Sequence, residues 1–274
     1  MKEYFEGWYF KHQANGKTLA LIPGKAVDGA FIHIVTADKS YYITYPLKEY
    51  QKGDILTIGD NVFSESGITL NINRPDIQLV GEIHYCNLTP ICSDIMGPFK
   101  FFPMECRHGI ISMQHDLEGS VQLNNVTYDF NGGKGYIESD SGRSFPDSYT
   151  WIHCNDFKQD CSITAAVAKI PFYGLKFWGC ICVVMLNGKE YRLATYKGVK
   201  IVTCKAGVIE LKQGKYRLLI NIRSEGGHML PAPRYGKMNH AILEDISCHA
   251  SFKLTKGCHV LFEGSSNQAS YECH

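Results

Sequence analysis

What this chain of 274 residues lacks narrows its function before anything it contains. It has almost no net charge, since 28 lysines and arginines face 27 acidic residues and leave +1. A chain so balanced offers no basic field for nucleic acid and no basic face for an anionic membrane. Its longest apolar run, Phe177 to Leu186, is broken by Gly179 and falls well short of the roughly 20 residues that a transmembrane helix needs. The opening residues Met1 to Trp8 hold two glutamates and no continuous apolar stretch, so no signal peptide is expected. There is no Gly-x-Ser-x-Gly elbow, no P-loop and no dinucleotide fingerprint after a strand. Gly132-Gly133-Lys134-Gly135 is rich in glycine but lacks P-loop spacing and reads as a hairpin turn. No long stretch has helical periodicity.

Cysteine, by contrast, is plentiful. The count of 11 is odd, which fits free thiols in a reducing cytoplasm of a bacterium better than a disulfide framework. Cys180-x-Cys182 and Cys106-x-His108 each offer two ligand types. Neither has a second pair at zinc-ribbon spacing, so no metal is expected. Hydrophobic residues make up 45% and charged residues 20%. That composition supports an ordinary buried core in one large domain or two modest ones.

Alternation dominates the pattern. Ile111, Met113, His115, Leu117, Val121 and Leu123 share one parity, while Ser112, Gln114, Asp116, Glu118 and Gln122 share the other. A half-buried strand has that signature. Ile77–Tyr85, Tyr216–Ile222 and Ile246–Leu254 behave likewise, and Asn15-Gly16, Asn187-Gly188, Gln213-Gly214 and Lys256-Gly257 punctuate them as turns. The chain also echoes itself. Trp8-Tyr9-Phe10 pairs with Trp151-Ile152-His153, Leu21-Ile22-Pro23 with Lys169-Ile170-Pro171, and Tyr42–Tyr45 with Leu193–Tyr196. Further echoes link Asn71–Arg74 with Asn221–Arg223, and Tyr136-Ile137-Glu138 with Tyr271-Glu272. The reading is all-β: two tandem antiparallel β-barrels, residues 1–140 and 141–274, joined through the turn-rich Ser139–Ser148 segment, with ligand space within or between them.

Three groups of residues carry a resemblance. Tyr4-Phe5-Glu6-Gly7-Trp8-Tyr9-Phe10-Lys11 looks like the opening motif of the tocopherol cyclase family. Gly135–Glu138, Gly142–Pro146 and Trp151–Phe157 are similar to its central motif, and Leu230–Pro233 with Met238 and Ile242–Glu244 to its C-terminal one. The resemblance implies lipocalin-like barrels and a cyclase that protonates an alkene while a phenol oxygen closes the ring. It implies a hydrophobic small molecule as partner and no cofactor. Two departures stand out: Ser139-Asp140-Ser141, where an aromatic residue is expected near Ser141, and His153, where glutamine is expected.

Acid-catalysed ring closure needs a carboxyl group kept protonated by burial, a proton acceptor and aromatic walls. Ionisable residues on apolar strand faces are therefore the catalytic candidates: His115, Glu244 and, in the polar run Glu105-Cys106-Arg107-His108, His108. Each has a plainer alternative. His115 could be a satisfied core histidine, and Glu244 a strand-end carboxylate paired with Arg234 or Lys237. Glu105, Arg143, Asp147, Trp151 and Arg234 are the substrate-binding candidates. Glu138 and Glu272, occurring once in each half, read as structural. Trp8 and Trp151 read as plugs of the two barrel floors. A non-catalytic carrier and an alkene hydratase are the rival functions.

Overall fold

The computed structural model describes residues 4–172 and 174–274. Alternating apolar residues and glycine-containing turns give strands almost throughout. The first sheet contains β1 (Phe5–Ala14), β2 (Lys17–Ala26), β3 (Gly29–Thr36), β4 (Ser40–Tyr45), β5 (Tyr50–Lys52) and β6 (Leu56–Ile58). It continues with β7 (Asn61–Ser64), β8 (Gly67–Arg74), β9 (Ile77–Cys86), β10 (Cys106–Leu123), β11 (Val126–Asp129) and β12 (Gly133–Gly142). The second contains β13 (Tyr149–Cys154), β14 (Cys161–Phe172), β15 (Leu175–Leu186), β16 (Lys189–Ala194) and β17 (Lys200–Lys205). Its remaining strands are β18 (Val208–Gln213), β19 (Tyr216–Arg223), β20 (His228–Arg234), β21 (Lys237–Lys256) and β22 (His259–Cys273).

The strand orders repeat. The first sheet runs β4-β3-β2-β1-β12-β10-β9-β8-β7-β6-β5, and the second β16-β15-β14-β13-β22-β21-β19-β18-β17. Each curls until its two edges share one core. In the first, Ile43 of β4 and Phe63 of β7 belong to a single buried cluster, and Asn61 donates to the Tyr45 hydroxyl at 3.3 Å. In the second, Leu193 of β16 packs with Ile209 and Leu211 of β18, while Gln213 bonds the backbone of Arg192 and Ala194. These are two tandem lipocalin-like units.

A third apolar cluster lies between the units. Tyr9, Tyr136, Met113 and Ile110 from the first meet Trp151, Val183, Leu230 and Ile242 from the second. Both faces of β1, β12 and β13 are consequently buried. The repeat is clearest here. Tyr9 stands opposite Glu138, and Trp151 opposite Glu272. The structural counterpart of Trp151 is therefore Tyr9. Trp8 faces the core of its own unit, so the two tryptophans do not plug equivalent places. The Asn71–Arg74 and Asn221–Arg223 echo also dissolves, because β8 and β19 hold different positions in their sheets.

Between β9 and β10 the chain leaves the sheet and reaches across to the second unit. Arg192, 8% exposed, holds this segment. Its guanidinium donates to Ser93 Oγ at 3.0 Å, Asp94 O at 3.0 Å and Ser93 O at 2.8 Å. Glu190 supplies its counter-charge at 2.8 Å and accepts the Cys92 N–H at 2.7 Å. Tyr196 donates to Ile95 O at 2.9 Å. Gly97, at φ 54°, lies where a Cβ would come within 2.6 Å of the Tyr196 ring. That close approach holds Met96 and Phe99 over the gap between the units.

Candidate active site

The gap is a mainly apolar cavity with about 190 Å³ open to the centre of a water molecule. Aromatic and aliphatic walls come from both units, including Phe31, Phe145, Trp151, Ile170 and Phe177, with Met96 and Phe99 from the crossing segment. A small set of ionisable groups breaks this surface: His108, Glu138, Asp140 and Glu272, with Glu105 at one side and His33 at another.

Strand register assembles the polar set. His108 on β10 stands opposite Asp140 on β12, and Ile110 opposite Glu138. In the second unit Glu244 on β21 stands opposite Glu272 on β22. The spacing is the same, 134 residues, from Glu138 to Glu272 and from Ile110 to Glu244 (272 − 138 and 244 − 110). The glutamates that read as structural because they recur are thus the pair that both units present to the cavity.

Glu138 is 5% exposed and is surrounded by donors. The Tyr136 hydroxyl bonds it, Trp151 Nε1 donates at 3.2 Å, and His108 Nε2 lies 3.4 Å away. Burial raises its pKa to about 8, and the His108 cation only partly offsets the rise. His108 Nδ1 meets Asp140 Oδ1 at 3.0 Å. Burial alone would favour neutral imidazole, but Glu138 and Asp140 outweigh it and push the His108 pKa up to about 9. His108, Glu138 and Asp140 also bring one ligand atom each within 4.8 Å of one another. With the His108 pKa raised, the imidazole of this group is a cation at neutral pH, and a protonated imidazole is not a metal ligand.

Glu244 is fully buried. Its Oε1 accepts the Tyr9 hydroxyl at 2.9 Å, and its carboxyl adjoins that of Glu272. Burial raises its pKa well above the ordinary value, and the adjoining Glu272 raises it further. Two adjacent buried carboxyls cannot both ionise cheaply, so one proton is shared between them. Glu272 is the more acidic partner. Burial raises it too, but its hydrogen bonds with Glu244 and Tyr149 hold it down. Glu272 faces the cavity, and Glu244 stands directly behind it. The arrangement can store a proton on the dyad and carry a second charged group, His108–Asp140, at the same apolar surface.

Of the residues singled out from sequence, His108, Glu105 and Trp151 line the cavity. Glu244 is one layer back, bonded to Tyr9 and not to Arg234 or Lys237. His115 lies elsewhere. Its ring packs 4.5 Å from Tyr85 within the first unit, Nδ1 meets Ser112 Oγ at 3.2 Å, and burial lowers its pKa to about 4. It is a neutral core histidine, away from the cavity wall. Arg143, Asp147 and Arg234 also lie outside the wall. Asp147 pairs with Lys176 at 2.6 Å, and Arg143 and Arg234 both flank the Tyr235 ring. Sequence reasoning gave Glu138 and Glu272 a structural role and did not single out Asp140 or Tyr9. The available signal was the β12 parity Tyr136-Glu138-Asp140, a polar face on a strand otherwise placed in a core. His153 stacks on Tyr136 at 3.7 Å, so this departure from the expected motif sits behind the tyrosine that bonds Glu138.

Two curled β units enclosing an acid-lined apolar cavity define a lipocalin-like scaffold. The chain belongs to the tocopherol cyclase-like family, which it matches over residues 91–273, a span that includes strands of both units. It is similar in structure to an AttH protein of Nitrosomonas europaea, with a TM-score of 0.58, 11% identity, and 99% of this chain and 92% of that one covered. It is also similar to kievitone hydratase of Nectria haematococca, with a TM-score of 0.55, 11% identity, and 99% and 88% covered. No curated protein sequence matches it. No helix among the described residues is long and apolar enough to cross a membrane.

Proposed function

We propose that this protein is a cofactor-independent cyclase or isomerase that closes a phenol oxygen onto an alkene or enone within a hydrophobic substrate. The observation that carries the reading is the Glu244–Glu272 dyad, a shared proton at an apolar wall. In the alkene case Glu272 delivers the proton to carbon, and Glu244 replenishes it through their hydrogen bond. The electron pair of the double bond forms the new C–H bond, and the cation left on the neighbouring carbon is faced by aromatic walls such as Trp151. The phenol oxygen attacks that carbon and releases its proton to the carboxylate of Asp140, which His108 orients. Return of this proton to the dyad closes the cycle, so substrate and product are isomers. In the enone case the dyad protonates the carbonyl oxygen as the phenol oxygen attacks the β-carbon and loses its proton to Asp140; the enol then returns its O–H proton to the dyad and takes the proton from Asp140 at its α-carbon, giving the ketone. General acid catalysis of this kind contributes roughly 10²–10⁴-fold.

The kinship with a hydratase fold keeps one alternative in view, because water could replace the phenol oxygen at the cation. Mass spectrometry after incubation with prenylated quinols and hydroxychalcones separates the cases. An isomer of unchanged mass, formed by the native protein and lost roughly 10²-fold or more in Glu272→Gln while the ligand is still retained, is the expected result. A product heavier by one water assigns a hydratase. Ligand released unaltered by the native protein would make it a carrier and refute catalysis.

A further inference from the structure

We infer that the mouth of this cavity docks on an anionic lipid bilayer, so that the apolar ligand passes directly between membrane and pocket. The inference rests on the cavity being the seat of an apolar ligand. The mouth is built by the short helical turn Gly97–Phe101 and the β14–β15 hairpin. Phe99 meets Phe172 at 6.1 Å and Phe177 at 6.0 Å, and Phe102 meets Phe172 at 5.4 Å. Phe99 and Phe177 face the cavity. Their neighbours face outward: Phe101 is 80% exposed, Leu175 76% and Trp178 50%. Large apolar side chains so exposed on the two elements that build one cavity mouth mark an interaction surface. Here the patch is continuous with the apolar cavity wall.

Charge identifies the occupant. Lys100 lies 5.1 Å from the Phe101 ring, Lys169 is exposed and stands opposite Trp178, and Lys176 is the neighbour of Leu175. Beyond Asp147, which Lys176 pairs, Arg234 and Tyr235 continue the rim, since Arg234 acts on Asp147 and Tyr235 on Lys176. The acids among these groups are Asp147 and the half-buried Glu105, whose carboxyl burial holds above its ordinary range. The rim therefore carries a local excess of cations around exposed Phe, Leu and Trp, the combination that seats a protein at the headgroup level of an anionic membrane. The net charge of +1 concealed it, because the whole-chain sum says nothing about clustering.

Co-sedimentation with vesicles tests this without any substrate, so its failure is separate from failure of the cyclase reading. The native protein is expected to pellet with vesicles of phosphatidylcholine mixed with phosphatidylglycerol, and much less with phosphatidylcholine alone. The triple variant Phe101→Ser, Leu175→Ser, Trp178→Ser changes only exposed side chains and should lose at least roughly tenfold in binding. Lys100→Glu with Lys169→Glu should weaken binding to the charged vesicles while leaving the apolar patch intact. No binding by the native protein would overturn the inference, and so would equal binding to neutral vesicles or full binding by the triple variant. Light scattering that shows a dimer broken by the triple substitution, with no vesicle binding, would assign the face to a second copy and overturn it as well.

Discussion

Replacing Glu244 by glutamine should make the protein more stable, and increasingly so as the pH rises. The reasoning starts from the hydrogen bonds. Oε1 already accepts from Tyr9, and the other side of the carboxyl shares a proton with Glu272. A glutamine amide reproduces the protonated acid: its oxygen accepts from Tyr9 and its nitrogen donates to Glu272. The native side chain must take up a proton to fold, because its folded pKa lies well above the ordinary 4.5. A group with a raised pKa loses stability as pH rises from the unfolded value toward the folded one. Each pH unit in that window costs about 1.4 kcal/mol. The glutamate therefore costs stability relative to glutamine throughout that window, and the cost grows as the pH rises. Urea unfolding of both proteins from pH 5.5 to 7.5 measures the difference directly, and catalytic turnover should fall in the same variant. A stability difference that does not change with pH would mean Glu244 is ionised in the fold, and the shared-proton dyad would be wrong. A gain of stability with loss of activity is what a strained catalytic group gives.

Two further substitutions test how the frame holds the site. A Cβ on Gly135 would stand 2.1 Å from His115 Nε2, so Gly135→Ala should cost roughly 1–3 kcal/mol in thermal or urea unfolding; an unchanged midpoint would mean the His115 ring is not fixed there. Arg192→Lys keeps the charge but loses the planar fork that binds Ser93 and Asp94. Limited proteolysis should then cut between residues 88 and 105 faster than in the native protein, and equal rates would deny Arg192 its anchoring role.

The strands were legible because one face of each sheet packs its own core, and alternation reports that face. Leu117, Val121 and Leu123 sit in the first core, as their parity indicates, and His115 shares their side. What alternation cannot report is what covers the other face. On β12, Ile137 faces the first core, while Tyr136 and Glu138 face the second unit and are buried. A polar residue on an outward face reads as solvated, and only the docking of the two units makes it part of a site. β10 adds a second obstacle. Its register shifts between Ile110 and Ser112, and again between Ser112 and His115. The parity that follows Leu117 correctly therefore cannot be carried back to His108. Motif resemblance located the right segments, because it does not depend on parity.

The repeat also explains how an acid and a cation come to share one cavity. The two units present the same scaffold: an aromatic residue on the first strand, Tyr9 or Trp151, opposite a glutamate on the last, Glu138 or Glu272. Identical surroundings would give both glutamates the same pKa and no division of labour. The neighbouring strand breaks the symmetry. Beside Glu138 the first unit has Ile110, and next along the same face His108. In the second unit, by the same spacing of 134 residues (244 − 110 and 242 − 108), Glu244 replaces the isoleucine and Ile242 replaces the histidine. The cation therefore acts chiefly on Glu138, and the extra acid chiefly on Glu272. Burial keeps both carboxyls above the ordinary range, Glu138 at about 8 and Glu272 at about 7, so what divides their tasks is the partner, a cation beside Glu138 and a second acid beside Glu272. Exchanging the partners, with Ile110→Glu and Glu244→Ile in one chain, should move the proton-sharing dyad to Glu138. Infrared spectroscopy of isotopically edited glutamates would follow the protonated carboxyl from one side of the cavity to the other. A protonated carboxyl that stayed on Glu272 would show that the surrounding unit, and not the cross-strand partner, sets its state.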